Sequence, residues 1–419
     1  MPASTKTGVS PYVQIKLNGQ DVSEEFLLFE WASFVNGGYT IRAKLNNAYY
    51  SILNLLISDN YLTTARLDSA EVKFKIKWLA EEKLETTELP AIVTHLGAGG
   101  TPLGGVVDLI AVDPPSFYLN RGDSSGKIWK GKVSKVIEDV VGEYAPSISY
   151  KVSETSDNEE NYWPQMRQDP KTFIHSLLDW SAPITSSKKE DRWVVASGTD
   201  DGGSPKIFIH KVSEISPLDL GLLRFNTTTG DEIQDIVNFE MLSNNFISAV
   251  QTKLITQGLS SISGQYMDRI TDTEEKKVYV KDKNTGDKVN TNIGPDRGFK
   301  KPKDKDWATN VISVPEFNDG ALGIPYEDYV SGRARGVFID VLNMVMRVKF
   351  RSTGIPELSD STKLGATTVN IGWKDSDDQP FFLGGKWIVY GFHHTVVRDQ
   401  WFTDMYCYRI DYDSTAKVI

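Results

Sequence analysis

The chain has 419 residues and a formal net charge of −10, with a pI of about 5.2. That charge argues against a groove that grips nucleic acid through its phosphates, and five histidines with one cysteine leave little for a zinc-type centre. The length exceeds one ordinary core and predicts two to four domains, while 40% hydrophobic and 11% aromatic residues suit packed globular structure.

No apolar run reaches the roughly 20 residues of a membrane span. The start, MPASTKTGVSPYVQ, lacks the charged-then-apolar layout of a signal peptide, so a cytoplasmic chain is expected. The single cysteine, Cys407, falls in a predicted strand and is expected to be buried.

In chain order, residues 12–17 alternate as a strand does, and Asn18-Gly19 is a tight-turn pair. Strands are predicted over 26–35 and 39–45, with Asn36-Gly37-Gly38 as the turn between them. The run 47–56 (NAYYSILNLL) fits a short helix or a buried strand, and periodicity does not decide. Three strands follow, opened by Val72, Phe74, Ile76 and Trp78 and continued by apolar runs at 89–96 and 106–112. Asp113-Pro114-Pro115 is then expected to break any regular element. Val133, Val136, Ile137, Val140, Val141 and Tyr144 recur at steps of three and four, the stripe of an amphipathic helix. A strand at 147–152 and an acidic loop to 160 come next. A second helix starts at Asp169-Pro170, where Asp suits the N-cap and Pro the first helical position. It is expected to bury Phe173, Ile174, Leu177 and Leu178 before strands at 193–196 and 207–212.

The β pattern resumes at 233–242 and 246–257. Residues 258–306 are polar, with Lys300, Lys301, Lys303 and Lys305 interleaved with Asp304 and Asp306. The signs nearly cancel, which favours a solvated insertion over a basic arm. Val330, Ala334, Val337, Phe338, Val341, Leu342 and Val345 keep helical spacing across 325–347. A strand near 344–352 and a turn at 354–358 follow. The end of the chain, LGGKWIVYGFHHTVVRDQWFTDMYCYRIDY over 383–412, reads as a long β-hairpin bent at Arg398, Asp399 and Gln400. In its second run Phe402, Asp404, Tyr406, Tyr408 and Ile410 share one side.

Residues 71–113 and 367–411 follow one plan. The second opens with Thr367, Val369, Ile371 and Trp373, as the first does with Val72, Phe74, Ile76 and Trp78. Acidic residues come next in both, Glu81 and Glu82 in one and Asp375, Asp377 and Asp378 in the other. Two further apolar runs complete each. We read two copies of one three-stranded meander, hence two related barrels or sheets, with Trp78 and Trp373 buried at matching places.

Few motifs point to chemistry. The run GAGGTPLGG, 97–105, has no Lys-Ser/Thr ending and precedes a strand, so it is read as a flexible hairpin loop rather than a phosphate cradle. Arg121-Gly122-Asp123 spells an adhesion tripeptide, but a turn uses the same residues. His393 and His394 are adjacent in a strand and point to opposite faces, so they cannot share a metal. Glu81-Glu82 and Asp377-Asp378 could suggest the paired carboxylates of glycoside hydrolysis, yet both sit in predicted hairpin loops with no aromatic cleft. No nucleophile elbow or HExxH motif is present. No catalytic, cofactor-binding or metal-ligating residue is assigned, no cofactor is expected, and the chain is read as not an enzyme.

Asp113-Pro-Pro-Ser-Phe-Tyr-Leu-Asn-Arg, then Lys130-Gly-Lys-Val and the helix through Tyr144, resembles the hub proteins of contractile phage tails. That family includes the late control protein D group and the hub half of type VI secretion spikes. Its members carry a strand ending in an aromatic and an arginine, then a helix. Gln168-Asp-Pro-Lys-Thr-Phe-Ile-His-Ser-Leu-Leu is similar to the family's next helix, and Gly385-Lys-Trp-Ile-Val, His394 and Phe402-Thr-Asp-Met-Tyr to its closing hairpin. Residues 258–306 match nothing in it.

The resemblance implies an α+β, mainly β fold: two related tube-type β-barrel domains with an inserted α/β module. The expected divisions are 1–113 for the first tube domain, 114–220 for the module, 221–257 with 344–419 for the second, and 258–343 for a polar insertion plus helix. It implies a homotrimer whose six similar units adapt a six-fold tail tube to a three-fold spike. Implied partners are the central spike, the tail tube ring, baseplate wedge proteins and the tape measure protein, within a virion assembled in the host cytoplasm. DNA would pass through without specific binding, and Glu81, Glu82, Asp375, Asp377 and Asp378 are candidates to line that channel. The alternative is a tail-associated cell-wall hydrolase or carbohydrate-binding tail protein.

Overall fold

The computed structural model describes residues 12–17, 20–48, 51–52, 71–80, 83–101, 104–122, 126–154, 161–165, 168–180, 193–200, 203–225, 235–244, 261–266, 274–278, 309–311, 346–373, 383–397 and 400–408. The chain opens with β1 (Tyr12–Leu17), β2 (Gln20–Asp21), β3 (Phe26–Phe34) and β4 (Gly38–Ala48). The predicted meander is β5 (Glu71–Ala80), β6 (Lys83–Thr101) and β7 (Gly104–Val112), antiparallel throughout. Helices and short strands alternate next: α1 (Pro114–Arg121), β8 (Lys127–Gly131), α2 (Val133–Tyr144), β9 (Ser149–Val152), β10 (Asn161–Gln165), α3 (Pro170–Trp180), β11 (Trp193–Thr199) and β12 (Pro205–Lys211). Then come β13 (Leu218–Phe225), β14 (Ile236–Asn244), β15 (Ser261–Tyr266), β16 (Glu274–Val278), β17 (Thr309–Val311) and β18 (Met346–Thr353). The second meander is β19 (Thr367–Trp373), β20 (Gly385–Val397) and β21 (Gln400–Tyr408), again antiparallel.

The fold is α+β, mainly β, and its centre is a 13-stranded sheet. Two arrays within it share one pairing order. The first reads β3-β4-β7-β6-β5-β1, the second β14-β18-β21-β20-β19-β13. The match departs at one place: β1 meets β5 antiparallel, whereas β13 meets β19 parallel. The arrays are joined within the chain by β3 lying antiparallel on β20, from Phe29 opposite Val396 to Phe34 opposite Gly391. Period-two alternation puts one side of most of these strands into a single apolar core. Trp31, Ile41, Val107 and Leu109 meet Val348, Phe350, Trp387, Phe392 and Met405 there, all at most 1% exposed. Trp31 and Phe392, from opposite sides of the joint, stack edge to face at 4.9 Å.

A second core belongs to the helices. The predicted stripe of α2 is buried through Val141, and Phe173, Ile174, Leu177 and Leu178 of α3 pack with it. The β8–β10 ribbon adds Trp129 and Trp163, and β9, β11 and β12 form a small sheet over it.

Several expectations change. Asp113-Pro114-Pro115 starts α1 instead of breaking structure, and the stretch ending in Arg121 is helix rather than strand. The Asp113 carboxylate caps the Ser116 N–H at 2.8 Å, and proline costs nothing in the first turn, where its missing N–H has no partner. The glycine run is mostly paired strand: Gly97 to Thr101 lie opposite Asp108 to Gly104. A Cβ on Gly100 or Gly105 would come within 2.6 Å of the other's Cα, so the glycines permit a close backbone approach. The strands β2, β8, β10 and β13 were not predicted, nor were β15, β16 and β17 in the stretch read as a polar insertion plus helix, and β4 runs on through Ala48. The strand at 246–257, the helix predicted across 325–347 as far as residue 345, and Ile410 lie outside the described residues, as do the side chains of Trp78 and Trp373, while Met346 and Arg347 are already strand in β18.

Candidate assembly surface

The outer face of the large sheet carries the same charge pattern twice. On β4, Ile41, Ala43 and Leu45 enter the core, so Arg42 and Lys44 face out. On β7, Val107, Leu109 and Ala111 enter it, so Asp108 faces out. The Arg42 guanidinium clasps Asp108 in two hydrogen bonds of 2.9 and 2.6 Å and lies 3.5 Å from Glu30 on β3. Those bonds hold the Asp108 carboxyl below its usual range, with Lys44 adding to the effect. In the second array Arg351 clasps Asp404 at 2.7 and 2.8 Å, and Lys349 pairs with Glu240.

Backbone register makes these residues equivalent. The pairing of β6 with β7 slips once after Val93–Ala111, and that of β20 with β21 slips once after Val389–Cys407. Counting from the slips, Asp108 corresponds to Asp404. The facing strands then equate Arg42 with Lys349 and Lys44 with Arg351. Glu30 stands opposite Arg42, and Glu240 opposite Lys349. Each array therefore holds an acid, two bases and an acid in the same places, but arginine and lysine have exchanged positions. In both it is the arginine that takes the two-pronged bond, because only a planar guanidinium matches a carboxylate in that way.

His393 bridges the arrays. It stands opposite Asp404 on β21, and its Nε2 lies 3.6 Å from Glu30 on β3. Above it Phe34, Tyr390, Tyr406 and Tyr408 form an aromatic cluster with ring centroids 4.8 to 6.3 Å apart. The Arg347 guanidinium lies 5.4 Å from the Tyr390 ring. Burial raises the phenols of Tyr390 and Tyr406 above their usual range. On the core side His394 is closed off. Its Nδ1 accepts from Trp401 Nε1–H at 3.2 Å and lies 2.9 Å from the Thr403 hydroxyl, while Nε2–H donates to the Leu358 carbonyl at 2.9 Å.

The helical module is riveted to the sheet through Asp113. This buried carboxylate accepts from Tyr39 N–H at 3.0 Å, Ser116 N–H at 2.8 Å and the Ser197 hydroxyl at 2.5 Å. It thus ties β4, α1 and β11. Asn36, in the left-handed region at φ 64°, accepts from Val195 N–H at 2.8 Å, and Lys171 donates to Gly37 O and Ser116 Oγ at 3.2 Å. A Cβ on Gly38 would lie 2.2 Å from the Asp113 carboxylate, which is why glycine stands there. The cavity left beside Lys171 and His175 measures about 10 Å³, room for one water and no substrate.

Glu81 and Glu82 fall between β5 and β6, and Asp375, Asp377 and Asp378 between β19 and β20, all outside the described residues. Nearness along the chain singles out those carboxylates and passes over Asp108 and Asp404, whose partners are on other strands. Among the described residues no group of three or more His, Cys, Asp or Glu could hold a metal ion, and no helix is long and apolar enough to cross a membrane. Cys407 is buried and free, and burial pushes its thiol up.

No family model matches the sequence, and no curated protein matches it. Solved structures do share the fold. The 43 kDa tail protein of prophage MuSo2 from Shewanella oneidensis aligns at TM-score 0.55 and 10% identity, over 96% of this chain and 99% of that one. A tail protein from Neisseria meningitidis MC58 aligns at 0.55 and 8%, over 97% and 98%. The E. coli c3393 protein, a type VI secretion component described as similar to the T4 bacteriophage tail proteins gp27 and gp5, aligns at 0.50 and 10%, over 96% and 78%.

Proposed function

We propose that the chain is the hub of a contractile phage tail baseplate, a structural trimer and not an enzyme. One observation carries the reading: a single chain holds two arrays of the same strand order, joined where the outer strand β3 of the first lies on β20 of the second. Three such chains supply six similar units, so a closed ring can meet a six-fold tube on one side and a three-fold spike on the other. Likeness in fold to tail proteins over nearly the whole length supports it. The spike, the tube ring, wedge proteins and the tape measure protein are its partners in this reading, and the virion baseplate is its place.

The outer face of the sheet suits a DNA conduit. Its duplicated set has four carboxylates (Glu30, Asp108, Glu240, Asp404) and four bases (Arg42, Lys44, Lys349, Arg351), which cancel. That set by itself offers passing phosphates no net positive charge to hold them. In this reading the loop carboxylates Glu81, Glu82, Asp375, Asp377 and Asp378 add negative charge at equivalent hairpins. Native mass spectrometry of the chain mixed with its spike tests the proposal. A trimer is expected, and a chain that stays monomeric in every mixture overturns it. A peptidoglycan zymogram is expected to stain uniformly, with no cleared band at the position of this chain.

A further inference from the structure

The helical module touches both arrays, and it does so through one strand. β11 gives one edge to β12. Val195 and Ser197 turn their backbone groups to the other edge, by the period of two. Val195 C=O accepts from Asn36 N–H at 3.0 Å, and its N–H donates to Asn36 Oδ1 at 2.8 Å. Asn36 follows β3, so this attachment is to the first array. Two residues on, Ser197 C=O accepts from the Ser361 hydroxyl, which lies between β18 and β19 of the second array. The side chains of β11 repeat the pattern. Val194 and Ala196 pack with Val35 of the first array and Ala366 of the second, together with Ile215.

These attachments sit where the arrays' own ladder ends. β3 leaves β20 at Phe34 opposite Gly391, after which Val35 N–H donates to Tyr390 C=O and Gly365 N–H to Val389 C=O. The twist between paired strands ranges over about 10 to 35°, so a single ladder does not by itself fix how two arrays are inclined.

Each attachment also has a histidine from the module. The half-buried His175 ring on α3 faces the Asn36 carbonyl as a hydrogen-bond partner, with Lys171 and Asp169 as the charges near it. Of the side chains that line the cavity there, only Lys171 and His175 can carry charge. The His210 ring on β12 faces the Thr362 carbonyl of the second array, and its Nε2 is buried with no hydrogen-bond partner. Glu214 and Asp360 favour a proton on His210, and Lys151 opposes it. Burial is the largest influence on both rings and keeps them neutral, His175 down to about 4.

We propose that β11 is a strap that locks the angle between the two arrays, and that acid releases it by protonating His175 at the first attachment and His210 at the second. Once released, each ring meets water and takes up a proton near its ordinary value of about 6.5. Locking is therefore complete above that pH and weakens as pH falls towards about 4.

Distances between spin labels, measured on labelled chain diluted into unlabelled chain, test this. Lys16→Cys on β1 with Val237→Cys on β14 reads the angle between the arrays, and Lys16→Cys with Asn46→Cys reads the first array alone. All three sites are exposed, and buried Cys407 takes no label. At pH 7 both pairs are expected to give a single narrow peak. At pH 4.5 the first pair is expected to lose that peak and regain it on return to pH 7, while the second pair keeps its own. His175→Gln with His210→Gln is expected to hold the first peak at pH 4.5. Asn36→Gly with Ser361→Ala is expected to lose it already at pH 7, and glycine accepts the φ of 64° at that turn. A first peak that survives pH 4.5 in the unmodified sequence, or survives loss of both attachments, overturns the strap. So does an acid response unchanged by the histidine substitutions, or one in which both label pairs broaden together. Should the paired histidine variant not fold, each single variant is expected to move the acid transition to lower pH, and an unmoved transition in both overturns the proposal.

Discussion

His394 illustrates how one side chain sets a pH limit on the fold. Its ring is fully closed off, and its Nδ1 already faces the N–H of Trp401, so a second proton has no place. Burial, with the neighbouring His393 as a lesser cause, pushes it down to about 4. In the unfolded chain it titrates near its ordinary value of about 6.5, so unfolding takes up a proton as pH falls. The stability it contributes is present above pH 6.5 and is lost as pH falls through about 4, a change of about 3 kcal/mol. His175, half-buried near Lys171 at the module junction, is also pushed down to about 4, chiefly by desolvation, and acts in the same direction. Urea midpoints between pH 7 and pH 4 are expected to fall, and less steeply in His394→Gln. Equal slopes in the two proteins would remove His394 from this account.

Paired strands explain why the repeat keeps its charges and not its sequence. A position on a strand is defined by what stands opposite it, so arginine and lysine can exchange places and still serve one carboxylate. Asp404 is the more buried acid, its side chain 5% exposed against 29% for Asp108, so losing its guanidinium leaves a charge with less solvent to compensate. Arg351→Lys is expected to cost about 1–2 kcal/mol, since lysine cannot form the two-pronged bond. Adding Lys349→Arg recreates the arrangement of Arg42 with Asp108 and is expected to recover most of that loss. Denaturant curves for the single and double variants check this. A double variant no more stable than Arg351→Lys would show that the two arrays are not interchangeable at this site.

The proposed ring has a consequence that neither array has alone. If the balanced outer face lines the channel, the trimer should not retain duplex DNA even at low salt. A filter-binding titration at low ionic strength is expected to show no salt-sensitive binding. Tight binding that weakens as salt rises would mean that bases outside the duplicated set dominate the lumen, and the conduit reading would fail.

Local chemistry determined much of this protein from sequence alone. Period two placed the meanders, Asp169 with Pro170 marked the start of α3, and adjacency assigned His393 and His394 to opposite faces. The duplication itself was legible, because each copy repeats three strands with similar spacing. What the chain order concealed was every contact between distant strands. Asp113-Pro114-Pro115 reads as a breaker until the capping bond to Ser116 is formed, and the glycine run reads as a loop until its opposite strand closes upon it. The clasp of Arg42 on Asp108 spans 66 residues and that of Arg351 on Asp404 spans 53. Only tertiary structure decides such pairs, because a strand's hydrogen-bonding edge carries no mark of its partner until register brings both backbones together.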